Sequence, residues 1–583
     1  MPINAPPRSA SSFAVAAAFA LPWLNPFAGG PSAAAQPLLF SWFCCGVLAL
    51  LAPASRRAAG MLALFASALA LAVVGVWFGW LARAWLPPLA AALAVAICAG
   101  IGAQPRLHQT AAVALLLAAL ASSAIGLCQY FGVAASLHPW MNLAPAGEAF
   151  GNLRQRNQLA SLLNIGLLAL LWLVASRDNA AVMGPGVVPA ARWKTDLRLD
   201  RWMLPAAVLL AAGNAATASR TGLVQLLLVI ALAWWWNRAR GPGWIGVAAI
   251  AAFSYVVATL ALPWLAGLDR AQHGGVFARL AHGDLPCASR LVLWSNVLDL
   301  IRERPWTGWG WGELDYAHYV HLYGGPRFCD ILDNAHNLPL HLAVELGLPL
   351  ALLICGALLW LLLAARPWCE ADPIRQLAWG ILAVVGLHSL LEYPLWYGPF
   401  QMATGLALGF LLFGRQNRPE ASKYERNRGN ALVYRSWTAI LIIAICAYTA
   451  HEYWRVSQPY RAPQGRAAEF RADPIAAVGG SPLFPDQLRF ARLVTTPLTP
   501  DNAAPVNALA RELLHFSPEA RVIKPLIASA RLLGDEAQAR FHEARFKAAF
   551  PAAFARLASA PARPVARPLA APPASAASAQ PAR

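Results

Sequence analysis

The chain has 583 residues, 58% of them hydrophobic and 13% charged, and carries a formal net charge of +18. That usage excludes one or two ordinary soluble domains and points to a lipid bilayer. The basic excess would suggest nucleic acid in a soluble protein, but here Lys and Arg sit between apolar runs, so the charge reads as membrane topology and no nucleic-acid partner is expected.

Thirteen apolar runs, at 11–25, 37–52, 58–78, 86–102, 109–131, 157–175, 203–218, 221–236, 244–263, 337–364, 374–391, 396–414 and 432–450, are each long enough to cross a hydrocarbon core of roughly 30 Å as a helix. The first run leads into further spans without a small-residue cleavage site, so it is expected to remain attached. With the N-terminus in the cytoplasm, the inner connections collect Arg56, Arg57, Arg106, Arg177, Arg192, Lys194, Arg198, Arg201, Arg238, Arg240, Arg366, Arg375, Arg415, Arg418, Lys423, Arg426 and Arg428. The short outer connections hold only Arg83, Arg154, Arg156 and Arg220. This asymmetry is what the positive-inside rule demands.

The expected fold is therefore an all-α polytopic membrane protein with a membrane domain over 1–450 and a large outer loop at about 264–336. A helical extension over 451–557, similar to a tetratricopeptide hairpin, would lie on the same outer side, with helices predicted at 507–516, 519–533 and 535–550. The Ala/Pro-rich residues 558–583 cannot build a core and are expected to be disordered. Nine cysteines form neither a disulfide framework nor a metal-ligand spacing, and no cofactor or metal is expected. Cys287 and Cys329 both lie in the outer loop, where an oxidising compartment would let them pair.

Polar clusters recur at the outer ends of the runs. Gly151-Asn152-Leu153-Arg154-Gln155-Arg156-Asn157-Gln158 offers guanidiniums and amides suited to a phosphate or a polyhydroxylated ligand, although snorkelling anchors the surface equally well for Arg154 alone. Ser219-Arg220-Thr221-Gly222 places a lone arginine in a tight outer turn. The long loop carries Ser289-Arg290, then Trp306 to Trp311, and ends in Asp333-Asn334-Ala335-His336-Asn337. Trp309 suits sugar stacking or an interfacial aromatic belt, and both readings stay open. His336 is the best candidate for a base that activates a hydroxyl, with His318, His321 and His341 as competitors. Glu392 and Tyr393 stand at a further outer turn, where Glu392 would pair with an arginine and Tyr393 would order a ligand.

In this order the motifs resemble the O-antigen ligase and O-oligosaccharyltransferase superfamily, and within it the PglL-type protein O-oligosaccharyltransferases that glycosylate pilins. The resemblance runs most clearly from Ala149 to Gly414. It implies a metal-independent inner-membrane glycosyltransferase moving a glycan en bloc from undecaprenyl diphosphate to Ser or Thr of periplasmic or pilin-like proteins. It implies that Arg220 and Arg290 bind the diphosphate, that His336 is the essential loop histidine, and that Gln155 or Gln158 and Tyr393 belong to further required motifs. A lipopolysaccharide O-antigen ligase and an O-antigen polymerase are the alternatives within the class. A transporter would instead need midplane charges and internal repeats, which the sequence does not display apart from Glu345.

Overall fold

The computed structural model describes residues 8–27, 34–51, 85–183, 198–237, 243–268, 286–413 and 428–558, with fragments at 71–72, 74–75, 275–276 and Arg279. The run expected at 58–78 lies largely outside the described residues, as does nearly all of the 558–583 tail. Every regular element described is helical. In chain order these are α1 (Arg8–Leu24), α2 (Ala35–Leu51), α3 (Leu86–Gly102), α4 (Pro105–Tyr130), α5 (Arg156–Met183), α6 (Arg198–Ala216), α7 (Arg220–Asn237) and α8 (Gly243–Leu265). There follow α9 (Arg290–Glu303), α10 (Leu314–Val320), α11 (Leu338–Leu346), α12 (Leu348–Ala365), α13 (Pro373–Ser389), α14 (Gly398–Phe413) and α15 (Arg428–Ser457). The C-terminal part adds α16 (Pro474–Val478), α17 (Pro485–Thr495), α18 (Ala503–Leu513), α19 (Ala520–Leu532), α20 (Glu536–Ala549) and α21 (Pro551–Ala558).

Among the described residues, four segments are long and apolar enough to cross a membrane by length and composition: Pro105–Tyr130, Arg156–Ser176, Trp244–Leu265 and Leu348–Cys369. Six shorter apolar helices accompany them. The single span expected over 337–364 is two helices. The break falls at Gly347, whose φ of +83° no side chain adopts readily, and a Cβ there would stand 2.3 Å from the Trp306 carbonyl oxygen. Pro349 in the first turn of α12 fits a fresh helix start.

The chain divides into two compact units. The first comprises 1–75, 86–283 and 360–446. Its core is a bundle of apolar helices around Trp23, Leu48, Ile97, Leu115, Phe400 and Phe410. Where α3 meets α14 the backbones touch, because a Cβ on Gly409 would lie 2.2 Å from Ala99 O. Bundles without a hydrophobic driving force between helices use such close approaches for packing attraction.

The second unit comprises 76–85, 284–359 and 447–583. Leu293, Val297, Leu300, Leu314, Phe328 and Val344 form one of its cores, and Leu513, Ile523, Leu526 and Phe546 belong to another. Tyr319 of α10 is buried in the latter, and its hydroxyl lies 3.0 Å from His542 Nδ1. Arg545 Nε donates to Val320 O at 2.7 Å, and Glu313 meets His515 at 2.7 Å. The C-terminal helices thus hold the loop helix. Helix α17 was not foreseen from the sequence.

Candidate functional site

In the first unit, Asn157, Ser161 and Asn164 recur on one face of α5 at the spacing of successive turns. That stripe is buried. Asn157 Nδ2 donates to Glu392 Oε1 at 3.0 Å, while Ser219 Oγ donates to Asn157 Oδ1 at 2.6 Å. One turn deeper, Ser161 Oγ lies 2.9 Å from His388 Nδ1 and 2.8 Å from Gln225 Nε2. Ser161, Gln225 and His388 are at most 1% exposed, so the network cross-links α5, α7 and α13 where an unpaired polar group would be costly. Glu392 takes a hydrogen bond from the Asn157 amide, and Arg156, the expected ligand cation, lies 3.4 Å from Glu148. Gln155 caps its own turn by accepting from Gln158 N at 2.7 Å. Tyr393 stacks on Tyr397 at 5.7 Å.

The same network fixes Arg220. Ser219 Oγ accepts from Gly222 N at 2.9 Å, so Ser219 is the N-cap of α7 and Arg220 is its first residue. Arg290 of the second unit stands in the same local setting. Ser289 Oγ accepts from Val292 N at 3.3 Å, and Arg290 opens α9. A guanidinium at the positive end of a helix dipole is unfavourable by itself, and the pairing makes sense for an anion that receives both the side-chain fork and the helix end.

Within the second unit, Arg290 and His336 are tied to one framework. Trp294, one turn after Arg290 on the same face of α9, donates its indole N–H to Ala335 O at 3.2 Å. Asn296 holds the other side of the loop, accepting from Phe328 N at 2.8 Å and donating to Pro326 O at 2.9 Å. A disulfide joins Cys287 to Cys329, with Cα atoms 5.4 Å apart. Asn337 caps α11 by accepting from Leu340 N.

His336 itself has φ +50°, a left-handed conformation that costs a non-glycine residue about 1–2 kcal/mol. Asn334 holds the turn: its Oδ1 accepts from His336 N at 2.8 Å, and its carbonyl lies 3.1 Å from His336 Nδ1. A carbonyl only accepts, so Nδ1 carries a proton in this hydrogen bond. Burial pushes the neighbouring Asp333 carboxyl above its ordinary value, with His336 the main group holding it down.

The competing histidines are engaged elsewhere. His318 is buried, with Nδ1 2.8 Å from the Tyr323 hydroxyl and Nε2 3.3 Å from Phe328 O. Desolvation, helped by Arg327, pushes its pKa down to about 3. His321 Nδ1 meets Glu303 at 2.8 Å, and His341 is buried 3.5 Å from Glu345. Trp309 bonds Leu300 O through its indole at 3.0 Å and carries the Arg304 guanidinium 4.0 Å over its ring, so that ring packs against the C-terminal end of α9. No group of three or more metal-ligating side chains occurs among the described residues.

The described residues thus offer helices apolar enough to cross a membrane, a serine-capped arginine at a helix start in each unit, and a histidine held in a left-handed turn. Three family models match this chain: "O-Antigen ligase" over residues 205–355, "Protein glycosylation ligase" over 149–174, and "Virulence factor membrane-bound polymerase, C-terminal" over 376–564. A general O-oligosaccharyltransferase of Acinetobacter baylyi is 26% identical over 314 residues, covering 51% of this chain and 49% of the relative. A ComP-specific O-oligosaccharyltransferase of the same organism is 25% identical over 269 residues, covering 46% and 44% respectively. The chain spans about half the length of the curated relatives it matches. These matches support a likeness to the O-antigen ligase and PglL-type protein glycosylation ligase superfamily.

Proposed function

We propose that this protein is a metal-independent O-oligosaccharyltransferase of a bacterial inner membrane, moving a glycan en bloc from undecaprenyl diphosphate to Ser or Thr of periplasmic or pilin-like proteins. The observation that carries the reading is the repeated Ser-Arg helix start, Ser219-Arg220 and Ser289-Arg290, each an anion seat of guanidinium plus helix dipole. The names of the two relatives support the same reaction. Thirteen spans with a cytoplasmic N-terminus would put residues 264–336 and the extension 451–557 in the periplasm, as the distribution of positive charge supports.

In the proposed reaction the acceptor hydroxyl oxygen attacks the anomeric carbon, the bond from that carbon to the diphosphate oxygen breaks, and undecaprenyl diphosphate leaves. Nε2 of His336 receives the hydroxyl proton. Arg220 and Arg290 neutralise the charge growing on the leaving group, the largest electrostatic demand of the step. Gln155, Arg156, Asn157, Gln158, Glu392, Tyr393 and Trp309 are assigned to the donor side, Asn157 through its hydrogen bond with Ser219 at the Arg220 turn.

The match of residues 376–564 to a membrane-bound polymerase favours a second reading, in which the acceptor is another lipid-linked glycan. Purified chain given a lipid-linked glycan and a pilin-like protein separates the two. Glycan mass added to the protein supports the first reading, and lengthened lipid-linked glycan alone supports the second.

A further inference from the structure

At one end of the first unit the C-terminus of α1 and the N-termini of α2, α5 and α14 surround a small pocket, partly open to solvent. Its wall includes Pro37 and Leu38 of α2, Gln158 of α5, and Gly398 and Pro399 of α14. These residues all lie in first turns, so three positive helix ends meet there. Arg154, left-handed at φ +60° just before α5, also lines it.

Gln158 is the telling residue. It is 2% exposed, and its Nε2 has no hydrogen-bond partner among the described residues. A buried amide donor left unmatched costs about 1–3 kcal/mol, a cost that a ligand acceptor would remove. The nearby acceptors are already engaged: Asn152 Nδ2 donates to Leu24 O at 2.9 Å and to Trp140 O at 3.1 Å. Asn152 Oδ1 accepts from Asn142 N at 3.1 Å, so Gln158 Nε2 is the lining donor left open and a ligand acceptor would match it. The remaining wall, with Pro22, Leu38, Leu153 and Trp396, is apolar.

We propose that this pocket seats a phosphate group carried on a lipid, held by Arg154, Gln158 and the three helix ends, with the apolar wall against the attached chain. The phosphate belongs either to the polyprenyl carrier or to a bilayer phospholipid. The carrier alternative deepens the glycosyltransferase reading and rests on it, whereas the binding measurement requires no transfer and so fails independently of that reading.

The test uses the full chain, purified in detergent, delipidated and titrated separately with undecaprenyl monophosphate, phosphatidylglycerol and uncharged diacylglycerol. Native mass spectrometry counts the retained molecules. One lipid phosphate is expected to be retained and diacylglycerol lost. Arg154→Ala and Gln158→Leu should each weaken retention about ten-fold, as should Leu38→Trp, which fills the pocket without removing a polar group. In wild-type protein, excess inorganic phosphate should displace the lipid, a readout independent of any variant's folding. Tighter retention of undecaprenyl monophosphate identifies the carrier as source, and tighter retention of phosphatidylglycerol identifies the bilayer. Equal retention of diacylglycerol, failure of phosphate to compete, or binding that survives Arg154→Ala and Gln158→Leu but disappears in Arg220→Ala overturns the proposal.

Discussion

Replacing Asn334 with alanine tests the geometry of the proposed base without touching the imidazole. Asn334 is 3% exposed, and its Oδ1 takes the His336 backbone N–H at 2.8 Å. Truncation leaves that N–H without its partner, a loss of about 1–3 kcal/mol, in a turn already loaded with about 1–2 kcal/mol of left-handed backbone strain. The turn should relax, and the carbonyl that holds the Nδ1 proton should move with it. A loss of about 1.4–3 kcal/mol in transition-state stabilisation corresponds to roughly ten- to a hundred-fold in rate. The assay is transfer of a lipid-linked glycan to an acceptor protein, followed across pH. Asn334→Ala should lower kcat by that factor with little change in donor KM. Asn334→Asp keeps the acceptor oxygen and should recover much of the rate. An unchanged kcat in Asn334→Ala, or an Asn334→Asp rate no better than that of Asn334→Ala, would refute the assignment of Asn334.

Further predictions concern the cations, the disulfide and the C-terminal clamp. Arg220→Ala and Arg290→Ala should each reduce transfer by roughly two to three orders of magnitude, and the lysine variants should rescue poorly because a bidentate fork is lost; near-normal single-turnover rates would contradict this. Reducing the Cys287–Cys329 bond, which closes a separation of 42 residues, should destabilise the fold by about 3–4 kcal/mol in the chain-entropy model, seen as a lower melting temperature absent from the double Cys→Ala variant. His542 is pushed by burial down to about 4, so the unfolded chain binds more protons between about pH 6.5 and pH 4. The contact with Tyr319 should therefore weaken as pH falls through that window, read as faster hydrogen exchange in α10. His542→Asn should remove this part of the pH dependence, and an identical profile in the variant would contradict the assignment.

The membrane class and the positions of most helices were legible because long apolar runs admit few structures in lipid. The break at Gly347 was not, since the apolar pattern passes through it unchanged and only the approach of the Trp306 backbone reveals why a glycine is required. Arg220, Arg290 and His336 were picked out as polar groups at outer turns. Their shared logic, a serine N-cap followed by arginine, was present in the sequence but needed the helix starts to become visible. Of the buried stripe only Asn157 stands out in the sequence analysis; Ser161, Asn164 and their partners Gln225 and His388 are single polar residues inside apolar runs and emerge as a network only when α5, α7 and α13 are packed together. Asn334 could not be distinguished from its neighbours by type, because its role comes from a left-handed turn at the following histidine.

In the proposed reaction a glycan passes from a lipid diphosphate to a protein hydroxyl, with His336 as the base and Arg220 and Arg290, each at a serine-capped helix start, on the leaving group. Intact-mass analysis of a pilin-like acceptor, incubated with the purified chain and undecaprenyl-diphosphate-linked glycan, addresses it most directly. The expected result is one glycan mass added at Ser or Thr by the wild-type protein and none by His336→Ala. Full glycosylation by His336→Ala, or an unmodified acceptor beside consumed donor, would contradict it.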